Sequence, residues 1–204
     1  MTAPRRLRVL DLFCGLKGFS QPFADRGHEV VTVDIEPKFK PSVVADIRNL
    51  SAQSLPLAGE WDVVLASPPC QAFSMASVYR HYKDHIPDQH VSEGLGLVAC
   101  TLRLIAERKP RYWVMENPTG MLRTFIGRPK ETIYQCSFGA VWKKPTDLWG
   151  VWPGQLRRPC APHQKAPRGS DSGVNSSHIR DPAERAKLPY GLGEELARRM
   201  EAKL

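Results

Sequence analysis

The sequence predicts an α/β fold built on an open, mostly parallel β-sheet. Short β-branched apolar runs alternate along the chain with segments of helical pattern. The first unit, residues 7–33, has the order strand, glycine loop, helix and strand, which is typical of a nucleotide-binding βαβ arrangement. Several predicted strands end in an acid or a cysteine. Ligands bind at the carboxyl ends of parallel strands, so this edge is where we expect the functional site.

Composition is that of a globular chain with a basic balance. The 204 residues are 42% hydrophobic and 25% charged, enough for one medium domain with a substantial core. The formal net charge of +8 favours a polyanionic partner, most commonly nucleic acid. No run approaches the roughly 20 apolar residues of a membrane span, and Asp11 interrupts the first apolar run too early for a signal peptide.

The cysteines are odd in number and scattered. None belongs to a Cys-x-x-Cys pair, and they are Cys14, Cys70, Cys100, Cys136 and Cys160. This pattern predicts no disulfide framework and a reducing, cytoplasmic location. Cys160 and His163 have ligand-like spacing, but no convincing second pair accompanies them, so no metal is expected.

The secondary-structure elements are predicted from the spacing of apolar residues and from the residues that end each helix or strand. Gly27 is a natural C-terminal helix cap, and Pro110 ends the apolar helical stripe of residues 94–109. Strands are predicted at 7–13, 29–33, 42–46, 61–66, 111–115, 132–138 and 146–151. Helices are predicted at 19–26, 94–109, 119–126 and 194–204. The polar residues 75–92 are interpreted as a mobile lid.

Three regions are predicted along the chain. Residues 1–151 form the catalytic domain. In residues 152–181 apolar periodicity disappears and basic residues are interspersed with Pro, Gly and Ser, which indicates a basic, loop-rich recognition insert. Residues 182–204 are expected to pack back on the catalytic domain as a C-terminal segment and helix.

The first half of the sheet edge has the features of a nucleoside site. Gly15 and Gly18 allow close backbone approach, and Asp34, about twenty residues downstream, can accept hydrogen bonds from ribose hydroxyls. Asp46 and Ile47 follow the third strand, where a carboxylate can accept from an exocyclic amine and an isoleucine can contact a flat ring. A purely structural role is equally compatible with these residues: a simple tight turn at the glycines, and a turn cap at Asp46.

The second half combines a thiol with a carboxyl group. Two prolines end the fourth strand and present Cys70 on a stiff turn, while Glu116 follows the fifth strand. A cysteine nucleophile needs an electrophilic carbon, and C6 of a pyrimidine becomes one when an acid protonates or hydrogen-bonds N3. Addition at C6 makes C5 carbanion-like, so that it can attack a methyl sulfonium. The alternative interpretation is that Cys70 has no catalytic role and is an incidental thiol on a proline-rich loop.

These motifs resemble those of the cytosine-C5 DNA methyltransferases. The resemblance rests on residues 11–15 (Asp-Leu-Phe-Cys-Gly), on Pro-Cys-Gln at 69–71 followed by Phe-Ser at 73–74, and on Glu-Asn at 116–117. It implies a Rossmann-like methyltransferase fold with a seven-stranded sheet, S-adenosylmethionine as donor, and a cytosine flipped out of double-stranded DNA. It also implies a restriction-modification class of enzyme.

The resemblance assigns roles to residues at matching positions. Cys70 would be the nucleophile, Glu116 would contact N3 and the exocyclic amine, and Asn117 would support the Pro-Cys loop. The donor-binding residues that it implies are Asp11, Phe13, Cys14, Gly15, Leu16, Lys17, Gly18, Asp34, Ile35, Asp46, Ile47, Ser67 and Pro69. The residues implied at the target nucleotide are Gln71, Ser74, Lys144 and Thr146.

The sequence departs from the family in three places. The glutamine–arginine motif after the sixth strand is missing, and Lys143 or Lys144 with Thr146 stands there instead. The recognition region is short, so specificity is expected to be short or relaxed, or to come from a partner protein or oligomer. Lys17 replaces a glycine, which raises the hypothesis that it pairs with the donor's carboxylate or with carboxy-S-adenosylmethionine.

The sequence is also compatible with two different functions. The chain could act on a free cytidine nucleotide or on RNA, or it could be a DNA-binding module without catalysis.

Overall fold

The computed structural model describes residues 5–51, 61–75, 78–83, 86–156, 158–160 and 181–203. Its strands are β1 (Arg8–Leu12), β2 (Glu29–Asp34), β3 (Val43–Val44), β4 (Val63–Ala66), β5 (Tyr82–Lys83), β6 (Ile86–Pro87), β7 (Tyr112–Pro118), β8 (Glu131–Tyr134) and β9 (Pro145–Val151). A seven-stranded sheet runs in the order β3-β2-β1-β4-β7-β9-β8. The first five strands in that order are parallel, and β9 is antiparallel to both β7 and β8. The predicted α/β fold with a mostly parallel seven-stranded sheet is therefore confirmed.

Helices cover both faces of the sheet. They are α1 (Gln21–Asp25), α2 (Val78–His81), α3 (Gln89–Arg108), α4 (Leu122–Ile126), α5 (Pro182–Ala186) and α6 (Tyr190–Glu201). Short 3₁₀ turns occupy Pro37–Phe39, Ile47–Asn49 and Gln135–Phe138. Among the described helices none is long and apolar enough to cross a membrane.

Alternation along β1 separates two hydrophobic layers. Leu10 and Leu12 point to the layer that contains α3, whereas Leu7 and Val9 point to the layer that contains α1 and α6. All four side chains are fully buried because successive strand residues face opposite sides and helices cover both. The sheet is thereby fixed between two helical layers, and only its edges are free to carry a site.

Several predicted elements differ from the observed ones. The strand predicted at 132–138 ends at Tyr134, and Gln135–Phe138 forms a 3₁₀ turn instead. The polar stretch 75–92, interpreted as a lid loop, contains α2, a short hairpin of β5 and β6, and the start of α3. Helix α3 begins five residues earlier than the apolar stripe indicated, because the Asp88 side chain accepts a hydrogen bond from the Val91 N–H and caps it.

The C-terminal helix also begins earlier than predicted. Helix α6 starts at Tyr190, directly after Pro189, whereas the sequence placed its start at 194. Gly191 and Gly193 lower the helix propensity of this segment, which is why the sequence indicated a later start. Glycine is nevertheless required at 191, because a β-carbon there would lie 2.5 Å from the Phe138 carbonyl oxygen. These glycines are thus sites of close packing within the helix.

The expectation of a chain without disulfides is wrong for one pair. Cys136 and Cys160 form a disulfide with their α-carbons 5.3 Å apart. The pair is 24 residues apart in sequence and lacks a Cys-x-x-Cys motif, so only the packing of residues 158–160 beside the 3₁₀ turn brings the thiols together. Cys14, Cys70 and Cys100 are free thiols.

The three predicted regions meet at the end of β9. Trp152 and Leu156 are buried with Leu192 and Leu196 of α6, so the beginning of the predicted insert belongs to the core. Most of the insert, residues 161–180, and with it His163, lies outside the described residues. The boundaries of the three regions stay a prediction.

Candidate active site

A cavity of about 390 Å³ lies at the carboxyl edge of the parallel strands. It is lined by the loop after β1, the end of β2, the turn after β4 and the end of β7. The predicted site residues among its lining are Asp11, Phe13, Cys14, Gly15, Leu16, Gly18, Asp34, Ile35, Ser67, Pro69, Cys70, Gln71, Glu116 and Lys144. The predicted donor side and the predicted catalytic side thus share one continuous space.

The loop after β1 has an unusual backbone. Phe13, Gly15 and Lys17 have φ values of 60°, 46° and 57°. Positive φ in a residue as bulky as Phe13 costs free energy and is concentrated at ligand sites. The Gly15 N–H donates to Asp34 Oδ2 at 2.9 Å, and this bond holds the loop against the end of β2. The sequence therefore forms a preformed loop whose backbone faces the cavity.

Asp11 is an unusual acid at the floor of this loop. Its side chain is fully buried, and Oδ2 accepts a hydrogen bond from the Ser20 hydroxyl at 2.5 Å, while Oδ1 has no hydrogen-bond partner in the described part of the chain. Burial, followed by the charge of Asp34, raises the pKa of Asp11 to about 7. A buried, unpartnered oxygen in a cavity wall favours a ligand that carries a donor or a positive charge.

A smaller pocket of about 120 Å³ adjoins the cavity. Its apolar walls include Phe13, Ile35, Ile47 and Pro69, as expected for a slot that holds a flat ring. Asp46 also lines it, but both of its carboxylate oxygens accept hydrogen bonds from the Arg48 guanidinium. Of the two interpretations that the sequence left open, the structure agrees with the turn cap, because Asp46 Oδ1 also accepts from the Arg48 backbone N–H.

The turn that carries Cys70 is held from two sides. The Asn117 amide donates to the Pro68 carbonyl oxygen at 2.9 Å, which gives Asn117 the supporting position that the resemblance implied. The N–H groups of Phe73 and Ser74 donate to the Cys70 carbonyl oxygen, each at 2.9 Å, so that Cys70 begins a tight helical turn.

The end of that turn packs against the segment after β7. A β-carbon at Gly120 would lie 2.1 Å from the Phe73 carbonyl oxygen, which only glycine permits, and the Met121 N–H donates to the same oxygen at 2.8 Å. Ser74 forms an antiparallel bridge with Gly120. The position of the thiol is therefore set by backbone contacts rather than by its own side chain.

Electrostatics couple Cys70 to Glu116 and Lys144. Burial, followed by the charge of Glu116, raises the pKa of the Cys70 thiol, and the charges of Lys144 and Arg185 act in the opposite direction. Burial raises the pKa of Glu116 to about 7, with Lys144 lowering it and Asp147 raising it. Glu116 Oε1 is buried without a hydrogen-bond partner in the described residues. A carboxyl group that holds its proton up to about pH 7, with one oxygen unpartnered among the described residues, thus lines the same cavity as the thiol.

Beside Glu116, a buried ion pair anchors the end of the sheet. Asp147 of β9 is fully buried and accepts hydrogen bonds from the Arg123 guanidinium and from the hydroxyls of Thr119 and Thr132. These contacts join β8, β9, α4 and the segment before Gly120. No motif in the sequence pointed to this cluster, because its members are far apart and each is common in loops and helices.

Four predicted site residues do not line either cavity. They are Lys17, Ser74, Asn117 and Thr146. Thr146 is fully buried, and its hydroxyl accepts from the Gln135 amide at 3.1 Å. The Lys17 ammonium donates to the Lys40 carbonyl oxygen at 2.7 Å. Asn117 acts from beneath the Pro-Cys turn, as described above.

Sequence reasoning missed the C-terminal wall of the cavity. Ala183, Ala186, Lys187 and Leu188, in and just after α5, line it. The one available signal was Asp181-Pro182, a helix start with an N-cap acid and a proline in the first turn. Without tertiary contacts nothing showed that this short helix returns to the glycine loop.

The sheet order is that of a Rossmann-like α/β fold, and one cavity at its carboxyl edge contains a glycine loop, a thiol and a carboxyl group. Residues 7–136 match the family model described as C-5 cytosine-specific DNA methylase. The chain therefore belongs to the C-5 cytosine-specific DNA methylase family, whose methyl donor is S-adenosylmethionine. In the described residues no group of three His, Cys, Asp or Glu side chains is arranged to hold a metal ion.

Individual relatives agree with this family. A frog virus 3 (isolate Goorha) protein described as a probable DNA (cytosine-5)-methyltransferase is 29% identical over 79% of this chain and 78% of its own length. The type II methyltransferase M1.HphI of Haemophilus parahaemolyticus is 30% identical over 62% of this chain but only 36% of its own length. M.HhaI from the same organism is 30% identical over 54% of this chain and 33% of its own length.

A solved structure agrees on the fold. It is described as a DNA modification methyltransferase encoded within a prophage (E. coli), and it matches with a TM-score of 0.50 at 22% identity over 71% of this chain and 46% of that one. This chain thus spans a third to a half of the bacterial proteins it resembles and most of the viral one.

Proposed function

We propose that this chain transfers a methyl group to C5 of a flipped cytosine in double-stranded DNA, through a covalent bond between Cys70 Sγ and C6. One observation carries the proposal. The preformed glycine loop, the Cys70 thiol and the protonatable Glu116 carboxyl group line the same cavity. The family assignment supports the reaction type, and the geometry supports the role of each residue.

Glu116 is suited to activate the pyrimidine ring. With a pKa of about 7, its carboxyl group is largely protonated in weakly acidic solution and about half protonated at neutral pH, so it can donate to N3 of cytosine. Protonation at N3 draws electron density from C6, which becomes the electrophile that a cysteine needs. The buried, unpartnered Oε1 provides the second contact, as an acceptor for the exocyclic amine.

Cys70 and Lys144 supply the nucleophile. Burial disfavours the thiolate, and the Lys144 ammonium offsets part of that cost because its charge favours the anion. Cys70 attacks as the thiolate after its proton has passed to solvent. As the Sγ–C6 bond forms, the electron pair of the C5–C6 double bond moves toward C5 and N3 takes the proton from Glu116. After C5 takes the methyl group, loss of the C5 proton to solvent expels the Cys70 thiolate and restores the C5–C6 double bond. The sequence offers Lys143 or Lys144 in place of the family's arginine, and we propose that Lys144 performs this electrostatic part of the task because its charge acts on both Cys70 and Glu116.

The residues around the glycine loop fit S-adenosylmethionine, which supplies an electrophilic methyl group on a sulfonium when bound. Asp34 would accept from the ribose, and Phe13, Ile35 and Ile47 would contact the adenine in the smaller pocket. Asp46 can accept from the adenine amine with the lone pairs that Arg48 leaves free, or after Arg48 turns away. Cys14, with its pKa raised to about 12 by burial, stays a thiol and packs without reacting.

For the form of the donor, we propose ordinary S-adenosylmethionine rather than its carboxylated analogue. The carboxylated donor was inferred from Lys17, whose ammonium is engaged with the Lys40 carbonyl group. Comparing transfer from both donors by the native chain and by Lys17→Gly tests this choice. A preference for the carboxylated donor that Lys17→Gly abolishes would contradict it.

DNA contacts are proposed along the basic side of the cavity. Lys143 is exposed beside Lys144, and Arg158 lies over the Phe138 ring at the start of the predicted insert. A short recognition segment leaves room for a partner protein or an oligomer in target selection. We propose a cytoplasmic location because the family modifies DNA; the cysteine pattern no longer supports that location, since Cys136 and Cys160 form a disulfide.

The test is covalent trapping. Duplex DNA of random sequence that contains 5-fluorocytosine should give a stable adduct with the native chain and donor, mapped by mass spectrometry to Cys70, because fluorine at C5 blocks release of the enzyme. Cys70→Ser should bind the donor and give no adduct. Single-stranded RNA and cytidine monophosphate serve as parallel substrates.

Each outcome has a defined meaning. If a folded, donor-binding chain forms no adduct with any substrate, the proposed chemistry is wrong. An adduct with RNA or the nucleotide alone would keep the chemistry and overturn the choice of DNA.

A further inference from the structure

The segment from Asp181 to Leu188 closes the donor side of the cavity. Asp181 caps α5 by accepting from the Ala183 N–H at 2.9 Å. The chain then passes directly over the glycine loop, where a β-carbon at Gly18 would lie 2.3 Å from the Leu188 carbonyl oxygen and 3.0 Å from Lys187 Cγ. This contact fixes the stem of Lys187 against the backbone of Gly18.

Lys187 brings a cation to this end of the cavity. Of the lining residues, two are cationic, Lys144 and Lys187. Lys144 acts on Cys70 and Glu116, so it belongs to the catalytic end. Within the described ranges the Lys187 ammonium forms no ion pair and no hydrogen bond, in contrast to Lys17, which is bound to the Lys40 carbonyl group. A cation is therefore available beside Gly18.

The chemistry opposite Lys187 indicates what it binds. The nucleoside pocket, with Ile47 and Asp34, lies on the β2 side of the glycine loop, which leaves the Gly18 side for the amino-acid part of the donor. Asp11, buried with Oδ1 unpartnered among the described residues, lines that same cavity. The methionine part of the donor carries one α-ammonium and one α-carboxylate. It is therefore matched by one anionic and one cationic side chain of the protein.

We propose that Lys187 binds the α-carboxylate of the donor's methionine part, while Asp11 faces its α-ammonium. The proposal rests on S-adenosylmethionine as donor. It assigns recognition of the donor's carboxylate to the C-terminal segment instead of to Lys17. It also gives α5 a functional reason to lie across the glycine loop.

The experiment measures donor affinity by calorimetry, without DNA. S-adenosylmethionine, S-adenosylhomocysteine and decarboxylated S-adenosylmethionine are titrated into the native chain, Lys187→Gln and Lys187→Arg. Lys203→Gln is the matched control, because it removes one exposed positive charge from the last turn of the chain, away from the cavity lining.

An exposed charge pair predicts that Lys187→Gln raises Kd for the first two ligands roughly 2- to 5-fold. Lys187→Arg should stay within about twofold of the native chain because it keeps the charge. Decarboxylated S-adenosylmethionine should bind the native chain more weakly than S-adenosylmethionine, and should bind Lys187→Gln and the native chain alike. Lys203→Gln should leave all three affinities unchanged.

Other results overturn the proposal in recognisable ways. Equal losses for the carboxylated and decarboxylated ligands would mean that Lys187 does not contact the carboxylate. Unchanged donor affinity together with weaker DNA binding would make Lys187 a phosphate contact instead. If the native chain binds none of the three ligands, the proposed function itself fails, which is a separate result.

Discussion

Replacing Glu116 by Gln should stabilise the protein at alkaline pH while removing most of its activity. The native carboxyl group has a pKa of about 7 against an ordinary 4.5, mainly because it is buried. The folded chain therefore holds this proton to a higher pH than the unfolded chain does. As pH rises from about 4.5 through 7, the folded state loses stability relative to the unfolded state.

The magnitude follows from the two pKa values. At about 1.4 kcal/mol for each pKa unit, the difference between 4.5 and about 7 corresponds to about 3 kcal/mol of destabilisation above pH 8. Gln is neutral at every pH, so Glu116→Gln should match the native chain near pH 4.5 and exceed it by up to about 3 kcal/mol at pH 8. Asp11, which also has a raised pKa, is present in both chains, and its contribution cancels.

Urea unfolding of both chains at pH 5, 6, 7 and 8 measures this difference directly. Turnover should fall by about 100-fold or more, because an amide cannot transfer a proton to N3. A stability difference that does not change with pH would refute the raised pKa, and undiminished turnover would refute the proton-donor role. Asn117→Asp is unsuitable as a control because it places a second carboxyl group beside the first.

Three further substitutions test the surroundings of Cys70. Lys144→Gln should raise the pKa of the Cys70 thiol further, so that the pH profile of its alkylation, followed by peptide mass spectrometry, moves to higher pH; an unmoved profile would exclude electrostatic support by this lysine. Arg123→Met should destabilise the fold by about 1 to 2 kcal/mol in urea unfolding, because it leaves the buried Asp147 without its ionic partner while the Thr119 and Thr132 hydroxyls still donate to it and the Arg123 side chain is 38% exposed; the double variant with Asp147→Asn should recover part of that loss, and a single variant as stable as the native chain would contradict the argument. Gly120→Ala should lower turnover without changing donor affinity, because its β-carbon would collide with the backbone carbonyl group at the end of the cysteine turn; loss of donor affinity would show that the two halves of the site are not independent.

The catalytic half of the site was predictable because its signals are local. Cys70 follows two prolines at the end of a β-branched run, and Glu116 follows another strand, so strand polarity alone brings both to one edge of a parallel sheet. The donor half was predictable for the same reason, since Gly15 and Asp34 belong to one βαβ unit.

Several features depended on contacts between distant parts of the chain. Lys17 replaces the family's glycine, which suggested a contact with the donor's carboxylate, yet its ammonium donates to the Lys40 carbonyl oxygen. Lys187 belongs to no motif and reaches the cavity only because the segment after α5 packs on Gly18. The Cys136–Cys160 disulfide likewise joins residues that no spacing rule pairs.

By itself the sequence determined the α/β sheet, which strands end in an acid or a cysteine, and the two residues proposed as nucleophile and acid partner. These follow from short-range rules: apolar period, proline and glycine stereochemistry, and the polarity of parallel strands. Only the tertiary structure decided the raised pKa of Glu116, the Cys136–Cys160 pairing, and the return of α5 to the glycine loop. Burial, charge coupling and backbone approach are properties of neighbours in space, and a linear sequence does not specify those neighbours.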